Sequence, residues 1–536
     1  MKKIIFIFLF IGFLKIAQSQ PVLPQYPDSV FSTYYWQRVT HFQTLPKSSS
    51  DIIFLGNSIT DGAEWSEIFN DNNVKNRGIS GDMTTGVINR LPDIVKGKPA
   101  KIFLMIGVND IARGISADSV FKNIEYITNY IHYYSLNTSI YIQSVLPVND
   151  FYKKFTGHTN KATVIKKTNT LLQENAERLN FTFINLHDAF LDSEGKMRIS
   201  LTNDGLHLKG DGYMLWKHIV FSYVYDVETK SALIPYPKKI SWTNLLFPLY
   251  KVRTVYVNDS SLNQLAINTI LKKDFQIKSN QALDKSNPFI QININKVDAP
   301  LLKEEAYQIH VDSVSVIINT NTLKGAFNAL QTVKQLARDN VFIDACNIID
   351  WPSFEWRGFM TDAGRNYQSV KFLKQIIDVM SNYKMNVFHF HITEDVAWRW
   401  QIKNYPQLTD AENMLRDKGR FYSVDDIKEL IQYCNNRFIT LVPELDMPGH
   451  SAAFTKAMNC NMQSDEGKKI MANILDEIFS TYTFPYFHIG ADEVKITDTS
   501  FIPFVQKIIE SHHAKVIGWK PGGNFNNQTL LQLWNG

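Results

Sequence analysis

The 536-residue sequence predicts an α/β protein with three parts: a parallel sheet covered on both faces, a small α+β domain, and an incomplete (β/α)8 barrel of the TIM type. Three observations favour this. Apolar strand-like runs alternate with longer amphipathic runs in two separate stretches of the chain. Between those stretches, several strand-like runs are followed by a single helix. In the second stretch, polar and aromatic residues follow each strand, where such a barrel carries its active site.

The length of the chain calls for two or three domains. We expect an export signal at 1–19, a first α/β domain at 20–230, a linker at 231–248, the α+β domain at 249–350 and the barrel at 351–536. The linker is predicted because residues 233–248 are rich in proline and lack a periodic apolar pattern.

The N-terminus has the features of a cleaved export signal. Two lysines precede the apolar run Ile4–Phe13, and small residues at Ala17–Ser19 suit cleavage before Gln20. The run is too short to span a bilayer, and Lys15 interrupts it. We therefore expect no stable membrane span and a periplasmic or extracellular location.

Charge and cysteine content narrow the classes of partner. The net charge is +4 and no long basic run lies outside the N-terminus, so nucleic acid is not an expected partner. Three cysteines do not form a disulfide framework, and buried free thiols are favoured over one bridge. No Cys/His cluster has zinc spacing, so neither a metal nor a cofactor is expected.

The first α/β domain is predicted to contain five strands. They are Asp51–Leu55, Val74–Asn76, Lys101–Ile106, Ser139–Val145 and Phe181–Leu186, with helices such as Ser119–His132 and Thr159–Leu179 between them. The alternation predicts a parallel sheet.

The α+β domain and the barrel are predicted in the same way. The former has strands at Val252–Val257, Phe289–Ile294 and Ala306–Ile318 and a helix at Thr322–Ala337. The barrel strands are Trp356–Thr361, Met385–His391, Thr440–Leu445, Tyr486–Gly490, Lys515–Gly518 and Leu530–Leu533, with helices at Val370–Asn382 and Val424–Asn435. Six strands fit, whereas the architecture has eight.

A serine site is predicted in the first domain. Ser58 lies at a strand-to-helix turn, His207 would be its general base, and Asp204 would hold the histidine tautomer. The N–H of Gly81 and the side-chain amide of Asn109 would bind the oxyanion. Taken singly, the serine could be a helix cap and the asparagine a turn former. The elements occur in chain order, each after a strand, which favours catalysis.

A second site is predicted where Asp492 and Glu493 follow a barrel strand. Two carboxylates held close together have divergent pKa values, so one can act as an acid. A solvated acidic pair is the alternative. A metal site at His389 and His391 is a further alternative, but these residues lack a convincing third ligand.

Residues 50–225 resemble the SGNH (GDSL-type) esterases. The resemblance rests on Gly56-Asn57-Ser58, Gly81, Gly107-Val108-Asn109-Asp110 and Asp204-Gly205-Leu206-His207. It implies a three-layer α/β/α fold and ester hydrolysis, often deacetylation of glycans. The family usually has Asp before the serine, and Asn57 stands there in this chain.

The carboxylate site resembles that of the family 20 glycoside hydrolases, the β-N-acetylhexosaminidases. His488-Ile489-Gly490-Ala491-Asp492-Glu493 and Pro443–His450 carry the resemblance, and residues 250–345 resemble the domain that precedes the family's barrel. It implies substrate-assisted hydrolysis, in which the sugar's acetamido oxygen attacks the anomeric carbon. Asp492 would orient the acetamido group, and Glu493 would protonate the leaving oxygen and then activate water.

Further roles follow from the same resemblance. Arg365 would bind sugar hydroxyls, His450 with Asp395 would support the acid, and Trp519 and Trp534 would wall the acetamido pocket. Glu394 stands where the family more often has Asp. The family's last two βα units are not found, so we expect a poor hexosaminidase if the chain is complete, and a fragment of a longer protein is the simpler explanation.

The leading hypothesis is a secreted bifunctional hydrolase. It would remove acetyl groups from sugars and then release terminal N-acetylhexosamine, so its partners would be such glycans and acyl esters. The alternative is an active esterase that carries an inactive, sugar-binding barrel. A lipid esterase is disfavoured because no long apolar lid lies between Ser58 and His207.

Overall fold

The computed structural model describes residues 20–227, 233–258, 267, 270–271, 275, 278–280 and 285–534. The predicted export signal at 1–19 lies outside them. The chain divides into two compact units, Met1–Thr229 and Lys230–Gly536. Among the described residues, no helix combines the length and the apolar character needed to cross a membrane.

The first unit is built on a five-stranded parallel sheet in the order β2-β1-β3-β4-β5. Its strands are β1 (Ile52–Gly56), β2 (Val74–Gly78), β3 (Lys101–Met105), β4 (Ser139–Gln143) and β5 (Thr182–Ile184). Its helices are α1 (Thr33–Thr44), α2 (Ser58–Asp61), α3 (Trp65–Phe69), α4 (Thr84–Val95), α5 (Val108–Ala112), α6 (Ala117–Tyr134), α7 (Thr156–Thr159), α8 (Ala162–Glu174) and α9 (Gly210–Tyr225). Every residue of β1 and β3 is buried, as expected when helices cover both faces. The predicted three-layer α/β/α fold is confirmed.

The second unit begins with a seven-stranded sheet in the order β6-β12-β10-β11-β9-β7-β8. The strands are β6 (Lys239–Pro248), β7 (Thr254–Val257), β8 (Lys278–Asn280), β9 (Phe289–Ile294), β10 (Tyr307–Val311), β11 (Ser315–Thr320) and β12 (Phe342–Asp350), and the helix α10 (Leu323–Leu336) packs against β10 and β11. The single strand predicted at Ala306–Ile318 is a hairpin, because Asp312 accepts hydrogen bonds from the backbone N–H groups of Val314 and Ser315 and turns the chain.

The linker predicted at 231–248 is wrong over its second half. Lys239–Pro248 forms β6, which pairs antiparallel with β12. β6 is an edge strand whose first five residues alternate between exposed and half-buried, with Ile240 and Trp242 packed against the core of this sheet. Pro248 is tolerated at the end of an edge strand, where its missing N–H costs no ladder bond.

The remainder of the second unit is an open, six-stranded parallel sheet whose spatial order is the chain order. The strands are β13 (Gly358–Asp362), β14 (Val387–His391), β17 (Thr440–Glu444), β18 (Tyr486–His488), β19 (Lys515–Lys520) and β20 (Leu530–Leu533), and a small hairpin consists of β15 (Thr393–Glu394) and β16 (Ala397–Trp398). The helices are α11 (Val370–Asn382), α12 (Val424–Asn435), α13 (Ala452–Met458), α14 (Asp465–Thr481) and α15 (Phe501–Ser511). This is the predicted incomplete barrel. A cavity of about 490 Å³ lies between the edge strands β13 and β20.

The three cysteines have unequal surroundings. Cys346 and Cys434 are buried, and burial raises the pKa of each thiol to about 12. Cys460 follows α13 and is only partly buried. All three are free thiols, so the interpretation that favoured thiols over a bridge is confirmed.

Candidate active sites

The serine site begins where β1 ends and α2 starts. Asn57 caps α2, because its side-chain oxygen accepts a 3.0 Å hydrogen bond from the N–H of Ile59. Ser58 is therefore not the cap, and its hydroxyl is available for another partner. A side chain at Gly56 is excluded, since its Cβ would lie 2.4 Å from the carbonyl oxygen of Met105.

Ser58, His207 and Asp204 form one hydrogen-bonded chain. The Oγ of Ser58 lies 3.0 Å from Nε2 of His207, and Nδ1 of His207 lies 2.8 Å from Oδ2 of Asp204. Burial alone would raise the pKa of Asp204, but the N–H groups of Leu206 and His207 and the imidazole itself lower it. An ionised Asp204 holds the proton of His207 on Nδ1, which leaves Nε2 free to accept the serine proton.

Asp82 joins the two predicted oxyanion-binding residues. The amide Nδ2 of Asn109 donates a 2.8 Å hydrogen bond to the backbone carbonyl of Asp82, the residue after Gly81. Gly81 has a φ of +82°, and an added Cβ would meet no atom within 4 Å, so this residue borders open space. Buried Arg90 pairs with the Asp82 carboxylate at 2.9 Å and also donates to the carbonyl of Gly56, which fixes this loop to the end of β1.

The acidic pair lies on a turn that directly follows β18. Gly490, Ala491 and Glu493 all have positive φ, at 62°, 69° and 51°. The left-handed backbone lets neighbouring carboxylates leave the strand direction. Asp492 is buried, its Oδ1 has no hydrogen-bond partner among the described residues, and burial raises its pKa. Glu493 is half exposed, and its Oε2 lies 3.4 Å from Nε2 of His450.

His450 connects the acidic pair to a second cluster of charges. Its Nδ1 lies 3.0 Å from Oε1 of Glu394 and 3.5 Å from Oδ2 of Asp395. The hydrogen bond to Glu394 is the main reason why the pKa of His450 is raised to about 9. Arg365 pairs with the same oxygen of Glu394 and, at 2.7 Å, with Asp362. One oxygen of Glu394 therefore serves both the arginine and the histidine.

Glu444, at the end of β17, is a buried carboxylate surrounded by nitrogen atoms. Its Oε2 lies 2.7 Å from Nε2 of His389 and 2.8 Å from Nδ1 of His391, and its Oε1 accepts a hydrogen bond from Trp519. Burial alone would raise the pKa of Glu444, but the neighbouring imidazoles, His488 among them, hold it well below its usual value. Burial would lower the pKa of His391, but Glu444 outweighs it and raises that pKa to about 9.

Three regions of the chain match models of known protein families. Residues 54–215 match the GDSL-like Lipase/Acylhydrolase family. Residues 230–351 match Glycosyl hydrolase family 20, domain 2, and residues 354–469 and 457–529 match its catalytic domain. The chain contains a GDSL-like acylhydrolase domain, followed by domain 2 and a catalytic-domain region of Glycosyl hydrolase family 20.

Individual relatives agree with the family 20 assignment. A β-hexosaminidase of Porphyromonas gingivalis is 29% identical over 371 residues, which is 57% of this chain and 47% of that protein. A β-hexosaminidase of Vibrio furnissii is 29% identical over 300 residues, which is 44% of this chain and 49% of that protein. The chain thus spans about half the length of these curated relatives.

A solved structure shows the same relationship. The family 20 exo-β-N-acetylglucosaminidase of Vibrio harveyi, in complex with N-acetylglucosamine, is 25% identical with a TM-score of 0.51 and covers 57% of each chain. An enzyme of Streptomyces coelicolor, 23% identical with a TM-score of 0.51, has the same fold.

The residues predicted for the carboxylate site of the family 20 domain do not all lie in contact with one another. Arg365, Asp395, His450 and Glu493 are linked through His450 and Glu394, and Asp492 lies beside His450. Trp519 is buried against Glu444. Trp534 follows β20, is 45% exposed, and makes no hydrogen bond or ring contact in the described part of the chain.

The sequence interpretation of His389 and His391 requires a correction. A third group does meet them, because both imidazoles converge on Glu444, and His389, Glu444 and His488 place potential ligand atoms within 4.8 Å of one another. The two histidines, however, lie at hydrogen-bond distance from Glu444, and Trp519, which cannot bind a metal, donates to one carboxylate oxygen. The family 20 domain therefore holds a hydrogen-bonded ion cluster at this position.

Two functional groups were missed in the sequence. Glu444 lies within Pro443–His450, and its place at the end of a parallel barrel strand is a signal that it shares with the other site residues. Asp82 was also missed in the GDSL-like domain. Burial, opposed by Arg90, raises its pKa to about 6.

Proposed function

We propose that this protein is an exported, bifunctional glycan hydrolase. Its GDSL-like domain removes acetyl groups from sugars, and its family 20 domain releases terminal, β-linked N-acetylhexosamine. The single observation that carries the esterase activity is the unbroken contact chain Ser58–His207–Asp204. Export rests on the charged and apolar pattern of residues 1–19.

In the esterase reaction, Nε2 of His207 takes the proton of Ser58 as the hydroxyl attacks the ester carbonyl. The N–H of Gly81 and the amide of Asn109 bind the resulting oxyanion. The imidazolium then gives its proton to the departing sugar oxygen, and an acetyl-enzyme remains. Water activated by the same histidine hydrolyses it.

In the glycosidase reaction, the acetamido oxygen of the sugar attacks the anomeric carbon while Glu493 protonates the leaving oxygen. Asp492 binds the acetamido N–H as positive charge develops on that group. Because Asp492 is buried, its carboxylate is poorly hydrated, and its attraction for the developing positive charge is stronger than it would be in water. Glu493 then removes a proton from the water that opens the oxazolinium ion.

The two activities complement each other chemically. An O-acetyl group on a terminal sugar alters the hydroxyls that Arg365 would bind, so its removal prepares the substrate for the glycosidase. Both hydrolases lie on one chain, which supports their joint use on one class of glycan.

The experiment uses p-nitrophenyl acetate and p-nitrophenyl N-acetyl-β-D-glucosaminide with wild type, Ser58→Ala and Glu493→Gln. We expect each variant to lose its own activity and to keep the other, so each serves as the matched control for the other. Binding of N-acetylglucosamine without turnover would leave an esterase with an inactive, sugar-binding barrel. Unchanged activity in a variant would refute the role of that residue.

A further inference from the structure

The short helix α7 brings two side chains to the serine site that belong to none of its motifs. Nε2 of His158 lies 3.0 Å from Oδ1 of Asn109, and the ring of Phe155 packs edge-on against His207 with their centroids 5.1 Å apart. The helix packs against α5, which carries Asn109. A segment without catalytic motif residues thus touches both the base and an oxyanion donor.

The hydrogen bonds of Asn109 define which way its amide points. The partner on one side is the backbone carbonyl of Asp82, at 2.8 Å. A carbonyl can only accept, so the NH₂ end faces Asp82 and Oδ1 faces His158. Because Oδ1 can also only accept, Nε2 of His158 must carry a proton. One N–H of the amide is used on Asp82, and the second remains available to a ligand.

The surroundings of His158 favour its neutral form. Burial first, and the nearby His207 second, lower the pKa of His158. A neutral ring with its proton on Nε2 keeps the hydrogen bond to Asn109. It also adds no positive charge beside His207, which must itself become an imidazolium during acyl transfer.

The segment before and within α7 is fastened to the loop that carries the base. The N–H of Asn149 donates a 2.9 Å hydrogen bond to the carbonyl of Gly205, between Asp204 and His207. Gly205 has a φ of +89°, and a Cβ there would lie 1.8 Å from the carbonyl oxygen of Asn149 and 3.3 Å from Cγ2 of Thr159. The backbone approach is therefore so close that only glycine fits.

We propose that His158 is a positioning residue of the esterase, which holds the Asn109 amide with an N–H directed at the oxyanion. The inference rests on the proposed esterase function. Without this partner the amide is held by the Asp82 carbonyl alone, so the direction of its remaining N–H toward the developing negative charge is no longer fixed. The effect therefore belongs to the transition state and not to substrate binding.

The test compares His158→Leu and His158→Gln, alone and combined with Asn109→Ala, on p-nitrophenyl acetate. Loss of an entire oxyanion donor lowers kcat about 100- to 1000-fold, so loss of its orientation by His158→Leu should lower kcat about tenfold, with KM unchanged. His158→Gln keeps an N–H donor and should restore most of the activity. In the Asn109→Ala background, His158→Leu should have no further effect, because its target is gone.

The outcomes separate the possible explanations. If the effects of His158→Leu and Asn109→Ala multiply, or if only KM changes, His158 acts on the substrate and the proposal is overturned. The exposed His41→Leu is the control and should leave both constants unchanged. If Ser58→Ala abolishes hydrolysis but His158→Leu does not lower kcat, this inference alone fails. If Ser58→Ala keeps full activity, the esterase function fails first and this inference fails with it.

Discussion

The indole N–H of Trp519 donates a 2.8 Å hydrogen bond to Oε1 of Glu444, a carboxylate with no solvent exposure. The other oxygen of Glu444 accepts from His389 at 2.7 Å. Trp519 is one of the two residues, with Trp534, that are expected to wall the acetamido pocket. The orientation of the Trp519 indole therefore depends on an ionised carboxylate that is itself fully buried.

Replacement of Glu444 by Gln should destabilise the incomplete barrel. The amide nitrogen would face N–H donors, and His391 would lose the carboxylate that keeps it charged. Breaking a buried ion cluster on one side costs about 3–5 kcal/mol. Urea unfolding of Glu444→Gln and of the exposed control Glu466→Gln would measure this. Equal unfolding midpoints for the two variants would mean that the ion cluster around Glu444 contributes nothing to the free energy of unfolding.

Replacement of Glu394 by Asp should weaken the proposed sugar site. One oxygen of Glu394 contacts both Arg365 and His450, and a side chain one methylene shorter should not reach both. We expect kcat/KM on p-nitrophenyl N-acetyl-β-D-glucosaminide to fall about tenfold, or about 1.4 kcal/mol. Ester hydrolysis in the same variant is the internal control. Activity at or above the wild-type level would show that the longer side chain is not required.

The charge of His450 should make stability depend on pH. Its pKa is raised to about 9 in the folded protein, chiefly by its hydrogen bond to Glu394, whereas an unfolded histidine titrates near 6.5. The stabilisation is fully present below about pH 6.5 and is lost as the pH rises through about 9. The difference in free energy of unfolding between wild type and His450→Gln should therefore shrink between about pH 6 and about pH 10. A constant difference would contradict the raised pKa.

Alanine at two left-handed glycines of the serine site should have unequal effects. At Gly81 an added methyl group meets no atom within 4 Å, so only backbone strain of about 1–2 kcal/mol is expected. At Gly205 the same change also forces the methyl group against the carbonyl of Asn149. Gly205→Ala should have a clearly lower thermal midpoint than Gly81→Ala. Similar midpoints would show that the loop near Gly205 can move aside.

The elements predicted best are those whose signals are local. The bounds of α11 and α12 agree with the prediction, and Ser423 with Asp426 forms a capping box at the start of α12. The contacts among Ser58, His207 and Asp204 also follow the prediction, because strand ends of a parallel sheet meet at one edge.

The features that escaped prediction depend on distant partners. Strand β6 is defined by its pairing with β12, and the alternation over its first five residues is too short to distinguish a strand from a linker. His158 lies in a four-residue helix with no periodic signal, and its contact with Asn109 spans 49 residues. Such contacts arise from tertiary packing, which propensity and periodicity do not encode.

The unequal burial of the three thiols allows one of them to be labelled selectively. A maleimide dye should react at Cys460 well before it reaches Cys346 or Cys434, so no engineered attachment point is needed. Cys460 follows α13, whose first residue, Ala452, donates its N–H to Asp395 at 2.9 Å. A fluorophore on the native chain would thus lie at the far end of a helix that begins beside Asp395 of the proposed glycosidase site, where it can report ligand binding without any change of sequence.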